Sequence, residues 1–292
     1  MNLSEQQLAA FDEHGYLVLP GVFDDAEVAA FAAEADFILE LIINSSLHNQ
    51  RSSARLDVRI VNGVHLVRKI QPINDLSLIL AKAERDARLR EPLRRLMDDT
   101  PVLMEEKLNY KQSLGVKLES LAALPDDDHF PLHHDWAYYQ AQGYPQNILS
   151  SAITIDAMTA ETGPIRVWPG THKTNLPHRI TPLYENHPTF KELEVVPGPV
   201  DPNGGIDVIA PPGSVMVFHA LLVHSSSPNQ SGRPRRVMIY SHFPKRAEMG
   251  FDVRNGPTRL RESPHELNYL RARVAGHAAP SFTIADNRGR VR

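Results

Sequence analysis

The chain contains no cysteine in 292 residues. That absence removes disulfides, iron–sulfur clusters, zinc–thiolate sites and a cysteine nucleophile together. It also lacks any run approaching about 18 uncharged apolar residues, so no membrane-spanning helix is expected. The N-terminal MNLSEQQLAAFDEHGY has no basic stretch followed by an apolar one, so no secretory signal is predicted. Neither charge sign dominates: 31 basic residues stand against 35 acidic ones, a formal net charge of −4. That balance gives no general attraction to nucleic acid or an anionic membrane. These absences lead us to expect a cytoplasmic protein with no nucleic-acid or membrane partner.

What is present reads as a β-rich fold. Apolar residues make up 42% of the chain, enough for a sizeable core, and 23 prolines and 16 glycines separate short apolar runs. The first 45 residues predict helix, strand, helix. Ser4 caps a helix that Gly15 ends, YLVLPGVF is a short strand, and AEVAAFAAEADFILELI has helical spacing. VHLVRKIQ at 64–71 predicts a strand and residues 75–98 a charged amphipathic helix. From Pro101 onward, apolar runs such as PVLMEEKLNYKQ, NILSSAITIDAM, PIRVWPG, SVMVFHALLVH and RRVMIYSHF alternate with Pro, Gly, Asn and Asp loops. Many short strands punctuated in this way indicate a barrel or double-sheet jelly roll. Residues 170–205 interrupt the pattern at a length more typical of a functional lid than of slack. The expected organisation is one domain over 1–292: a helical part to about 100, a jelly-roll core to about 245 and an irregular tail.

The sharpest chemical feature is LHHDWAYY at 132–139. His133 and Asp135, two apart, would project from one face of an extended strand, leaving His134 on the other. The strand SVMVFHALLVHSS ends in His224, 91 positions after His133. Two imidazoles and one carboxylate suit an Fe(II) ion that keeps positions open. Alone this set is weak, because 14 histidines produce a His-x-Asp triplet by chance fairly often. Eleven residues after His224 comes Arg235, which a hairpin would place on the neighbouring strand. Its guanidinium is the natural partner for a buried carboxylate, although Arg235 and Arg236 also fit an ordinary basic turn.

The ordered set LHHDW, ETGPIRVWPGTHK and PPGSVMVFHALLVHSSSPNQSGRPRR resembles the phytanoyl-CoA dioxygenase family of iron and 2-oxoglutarate oxygenases. The opening LSEQQLAAFDEHGYLVLPGVFDDAEVAAFAAEAD is similar to that family's, so the likeness runs from about residue 3 to about 242. The resemblance implies a double-stranded β-helix with Fe(II), 2-oxoglutarate and dioxygen as cofactor and cosubstrates. It implies His133, Asp135 and His224 as the iron ligands, and Arg235 as the 2-oxoglutarate clamp. Lys69, in VRKIQ, is implied as a second carboxylate contact, and Gly163, Pro164, Pro169 and Gly170 as turn residues. His134 stands where glutamine is common, and HSSS where H-G-S-G is familiar. The intact carboxylate separates the chain from halogenating relatives that lack it.

The implied activity is oxidation of a small-molecule substrate, most simply hydroxylation, with release of succinate and carbon dioxide. Desaturation, epoxidation and cyclisation use the same chemistry. A zinc hydrolase would call for a motif such as H-E-x-x-H, which is absent. A catalytically dead barrel would have lost a ligand or the arginine. Trp136, Tyr138, Tyr139, Arg166 and Trp168 flank the expected site, either lining a pocket or packing the barrel.

Overall fold

The computed structural model describes residues 2–125, 128–188, 190–249 and 264–287. Helix α1 (Glu5–His14) begins in a capping box between Ser4 and Gln7 and closes at Gly15. Strand β1 (Tyr16–Leu19) follows, then helix α2 (Asp25–His48), which opens in a second capping box between Asp24 and Glu27. Phe31, Ala35, Ile38, Leu39, Ile42 and Ile43 recur at three- and four-residue intervals, so one face of α2 is buried.

Strands β2 (Leu56–Val61) and β3 (Val64–Ile70) form a hairpin. The single charged helix expected over 75–98 is two: α3 (Leu78–Glu84), capped by Ser77, and α4 (Ala87–Met97), capped by Asp86. Asp86 takes an extended conformation and accepts the Arg88 amide, so its preference for capping interrupts an otherwise continuous amphipathic pattern. The stretch before residue 100 is thus not simply helical, since β1, β2 and β3 all join the main sheet.

The remaining strands are β4 (Pro101–Ser113), β5 (Leu124–Pro125), β6 (Phe130–His133), β7 (Leu149–Thr154), β8 (Ile165–Val167), β9 (His178–Ile180), β10 (Leu193–Val195), β11 (Ile206–Asp207), β12 (Val215–His219), β13 (His224–Ser226) and β14 (Val237–Pro244). An eight-stranded sheet has the order β1-β12-β7-β14-β4-β3-β2-β5, antiparallel except for the β2–β5 pair. A four-stranded antiparallel sheet has the order β11-β8-β13-β6, and β9 and β10 form a separate ladder.

Alternation along the central strands decides the layering. Val215, Val217, Met238 and Tyr240 join the core that includes α2, whereas Met216, Phe218, Val237 and Ile239 join a second core with Ile165 and Val167 of the small sheet. The large sheet is therefore covered by helices on one face and by the small sheet on the other. This explains why SVMVF and VMIY read as unbroken apolar runs. Tyr110 of β4 ties the layers, its hydroxyl donating to Ala35 O of α2 at 2.9 Å. The tail, expected to be irregular, carries α6 (Pro264–Val274) and α7 (Ile284–Asn287). The chain is mainly β with flanking helices, and none of its described helices is long and apolar enough to cross a membrane.

Candidate metal centre and cosubstrate pocket

His133, Asp135 and His224 converge: one ligand atom from each lies within 4.8 Å of the others. The Nε2 atoms of both histidines sit 3.8 Å from Asp135 Oδ1. β6 and β13 bring them together, with His133 directly opposite His224 in the antiparallel register. The local geometry differs from a simple extended strand. β6 ends at His133, and Asp135 takes a right-handed helical conformation at the start of helix α5 (Trp136–Tyr139). The carboxylate reaches the cluster through that turn rather than through strand alternation. His224 likewise does not end the strand containing Val215; it opens β13 after a turn at 220–223 that carries the chain to the other sheet.

The imidazoles are oriented for ligation. His133 Nδ1 lies 2.7 Å from Pro131 O and His224 Nδ1 lies 2.9 Å from Leu222 O. A carbonyl accepts only, so each Nδ1 carries the proton and each Nε2 lone pair faces Asp135. Burial holds the His133 imidazole well below its ordinary pKa, keeping it neutral, with His224 acting in the same direction. Burial works against the Asp135 carboxylate, but the cationic Lys107 is the largest of the influences that outweigh it and hold its pKa below the ordinary value. Two imidazole nitrogens and one carboxylate, close enough for one ion to gather, fit a divalent iron.

His134 is excluded from the cluster by its own bonds. It is fully buried, its Nδ1 accepts the Ala137 amide at 3.2 Å, and its Nε2 donates to Leu176 O at 3.2 Å.

The cluster opens onto a cavity of about 830 Å³. Arg235 lines it, 1% exposed, donating from Nη2 to Gly163 O at 3.0 Å, while its Nε has no hydrogen-bond partner. Burial lowers its pKa to about 10, with Asp128 and Asp156 opposing, so it remains a cation at neutral pH. A buried guanidinium with spare donors suits an anionic guest. Arg235 is not on a strand neighbouring β13, as a hairpin would require. It precedes β14 in the large sheet, its amide bonded to Tyr110 O, and reaches the cavity from the opposite wall. Arg236 instead pairs with Asp156 and Asp36, both at 2.8 Å. Lys69 also lines the cavity, opposite Asp57 in the β2–β3 register. Burial depresses the Lys69 pKa, and Asp57 is the largest influence raising it.

Of the five flanking residues, Tyr138 and Tyr139 reach the cavity. Trp136 donates from its indole N–H to Tyr144 O, Trp168 likewise to Asp201 O, and Arg166 pairs with Asp207. A polar row on β4 was not anticipated from the sequence: Glu105, Lys107 and Asn109, at alternate positions, line the cavity, as Glu106 between them also does. Its signal was the period-two E-x-K-x-N inside an otherwise apolar strand, which could equally mark a solvent-facing edge. The 170–205 stretch folds over the site: His187, Phe190, Lys191 and Glu192 line the cavity, and Glu192 accepts from Arg68 at 2.9 Å.

The model of the family described as phytanoyl-CoA dioxygenase matches residues 11–237. An ectoine dioxygenase of Sphingopyxis alaskensis is 26% identical over 271 residues, covering 86% of this chain and 80% of that one. An L-proline trans-4-hydroxylase of Streptomyces griseoviridis is 24% identical over 247 residues, covering 80% and 83%. Among solved structures, EctD from S. alaskensis with 2-oxoglutarate and 5-hydroxyectoine superposes with a TM-score of 0.59 at 24% identity, covering 83% of this chain and 76% of that one. The epimerase SnoN, solved with Fe3+, alpha-ketoglutarate and nogalamycin RO, gives 0.60 at 17% identity, covering 88% and 91%. At these identities the structural likeness shows a shared fold.

Proposed function

This chain belongs to the phytanoyl-CoA dioxygenase family, and from that premise we propose an Fe(II)- and 2-oxoglutarate-dependent dioxygenase that hydroxylates a small molecule, releasing succinate and carbon dioxide. In this reading His133, Asp135 and His224 hold the iron, Arg235 binds the distal carboxylate of 2-oxoglutarate, and Lys69 provides a second cationic contact. The two sheets form a jelly-roll barrel within one domain over 1–292. The carrying observation is the pair of Nε2 lone pairs turned toward Asp135 Oδ1, beside a buried arginine with a spare donor in the same cavity.

When bound, the iron and 2-oxoglutarate supply the oxidising chemistry. The protein's residues do the rest. Pro131 O and Leu222 O fix the imidazole tautomers. Lys107 keeps Asp135 ionised. Arg235 fixes one end of the cosubstrate, and with it the orientation of the other end toward the triad. Tyr138, whose hydroxyl accepts the Leu193 amide at 2.8 Å, pins β10 over the site and restricts water.

Anaerobic addition of Fe(II) and 2-oxoglutarate should produce the weak visible band of a keto-acid chelate, and His224→Ala should abolish it. A band unchanged in that variant would remove His224 from the ligand set.

A further inference from the structure

Glu105, Lys107 and Asn109 occupy alternate positions on β4, while Leu108 and Tyr110 between and beyond them enter the helix-side core. At about 3.3 Å per residue the polar row is about 13 Å long. Its Asn109 end adjoins Arg235, because Asn109 lies opposite Val237 and the Arg235 amide bonds Tyr110 O. Its middle shares the cavity with the triad, since Lys107, His133, Asp135 and His224 all line it. The Glu105 end lies beyond, where Tyr139, Gln142, Tyr144 and Met104 also line the cavity. A cosubstrate stretched from Arg235 to the triad occupies the first half of the row and leaves the Glu105 end vacant for substrate.

The charges at that end are arranged for exchange. Glu105 Oε1 accepts from both Lys107 Nζ and the Tyr139 hydroxyl, the latter at 3.2 Å. Its Oε2 accepts no hydrogen bond among the described residues, and Lys107 makes no second one. The two side chains keep 14% and 13% exposure, so the pair is open to the cavity rather than sealed. A guest bringing one charge would break this pair and separate two largely buried opposite charges, which is unfavourable. A guest bringing both charges replaces the pair one for one. Tyr139 holds Glu105 in place throughout.

We propose that Glu105 and Lys107 form the substrate subsite and select a small zwitterion, its ammonium on Glu105 and its carboxylate on Lys107. This rests on the reading of the site as an iron and 2-oxoglutarate centre. The test uses the iron-loaded protein with 2-oxoglutarate and a panel of free amino acids, each beside its N-acetyl and its carboxamide derivative. Binding is read anaerobically by saturation-transfer NMR and turnover by succinate release in oxygen. At least one free amino acid should bind and stimulate tenfold or more above both derivatives. Glu105→Gln should collapse its preference over the N-acetyl form, and Lys107→Met its preference over the carboxamide. A purely structural defect would weaken all three compounds equally, and that result would overturn the assignment. So would derivatives that bind like their parents, or a panel with no free amino acid bound while the chelate band is present. Absence of the band in the wild type would instead overturn the metal-site reading, and this proposal with it.

Discussion

Arg235 and Arg236 are adjacent on the chain and do different work. Arg236 is committed to two carboxylates, Asp36 and Asp156, that join α2 to the loop after β7. Arg235 donates to one carbonyl, keeps a buried Nε without a partner and lines the cavity. Arg235→Leu should therefore raise the 2-oxoglutarate requirement at least tenfold and leave iron affinity nearly unchanged. A loss on the order of 2–5 kcal/mol is usual when one partner of a buried charge pair is removed. Arg236→Leu should lower stability by on the order of 1–3 kcal/mol, since its partners are partly exposed, with little change in cosubstrate affinity. Titration of 2-oxoglutarate against both variants, with melting curves, separates the roles; interchanged phenotypes would contradict the assignment. The choice between these arginines was legible only through family pattern, because R-P-R-R carries no burial information. The triad was legible from residue types and order, but strand alternation does not account for its convergence. Asp135 reaches the cluster through a helical turn, and a turn of this kind leaves no periodic mark on LHHDW.

At the scale of elements, the joints between strands matter most to the site. Gly163 precedes β8 with φ +67°, and a Cβ there would stand 2.2 Å from Ser227 O, just past the end of β13. Its own carbonyl accepts from Arg235. One glycine thus spaces the strand carrying His224 from the guanidinium across the cavity. Gly163→Ala should lower the melting temperature and also weaken 2-oxoglutarate binding severalfold, because the backbone must shift to relieve the contact. Gly63→Ala, at φ +81° with nothing within 4 Å, carries only the conformational cost of about 1–2 kcal/mol and should leave cosubstrate binding alone. Equal 2-oxoglutarate affinities in the two variants would deny Gly163 this spacing role. Helix α1 with its Ser4 cap, α2 and the strands β1, β3, β4, β7, β8, β12 and β14 were readable from caps and apolar runs, whereas β2, β9, β10 and α6 were not. Nor were two joints. The break at Asp86 gives a capping preference priority over a continuous amphipathic pattern. The crossing from β12 to β13 lies inside the single apolar run SVMVFHALLVH, where hydrophobicity cannot report a change of sheet.

Across the whole molecule, histidine is used as a neutral hydrogen-bond acceptor at several positions. His65 Nδ1 accepts the Leu118 amide at 2.9 Å, His134 Nδ1 that of Ala137, His178 Nε2 that of His134, and His219 Nδ1 that of Leu221 at 3.1 Å. Protonation would set an N–H against an N–H at each. Burial is the main cause that lowers all four pKa values, and it takes His134 and His219 to about 4. The sign follows from linkage. Above the unfolded value of about 6.5 both states are neutral, and the full stability is present. As pH falls below 6.5 the unfolded chain takes up protons that the folded chain refuses, so stability drops, and it stops dropping from this source only near pH 4 for His134 and His219. Each of those two contributes at most about 3 kcal/mol over the window. Below it, carboxylates held ionised by cations, Asp57 and Glu84 among them, add their own loss. Calorimetric melts of the metal-free protein should therefore show a melting temperature flat from pH 8 to 7 and falling by on the order of 10 °C by pH 5. His219→Gln lacks one of the titrating rings, so its curve should be shallower over the same interval even if its melting temperature at pH 8 is lower. A wild-type curve flat from pH 7 to 5, or a slope unchanged by His219→Gln, would show that these imidazoles are not the groups coupling the fold to pH.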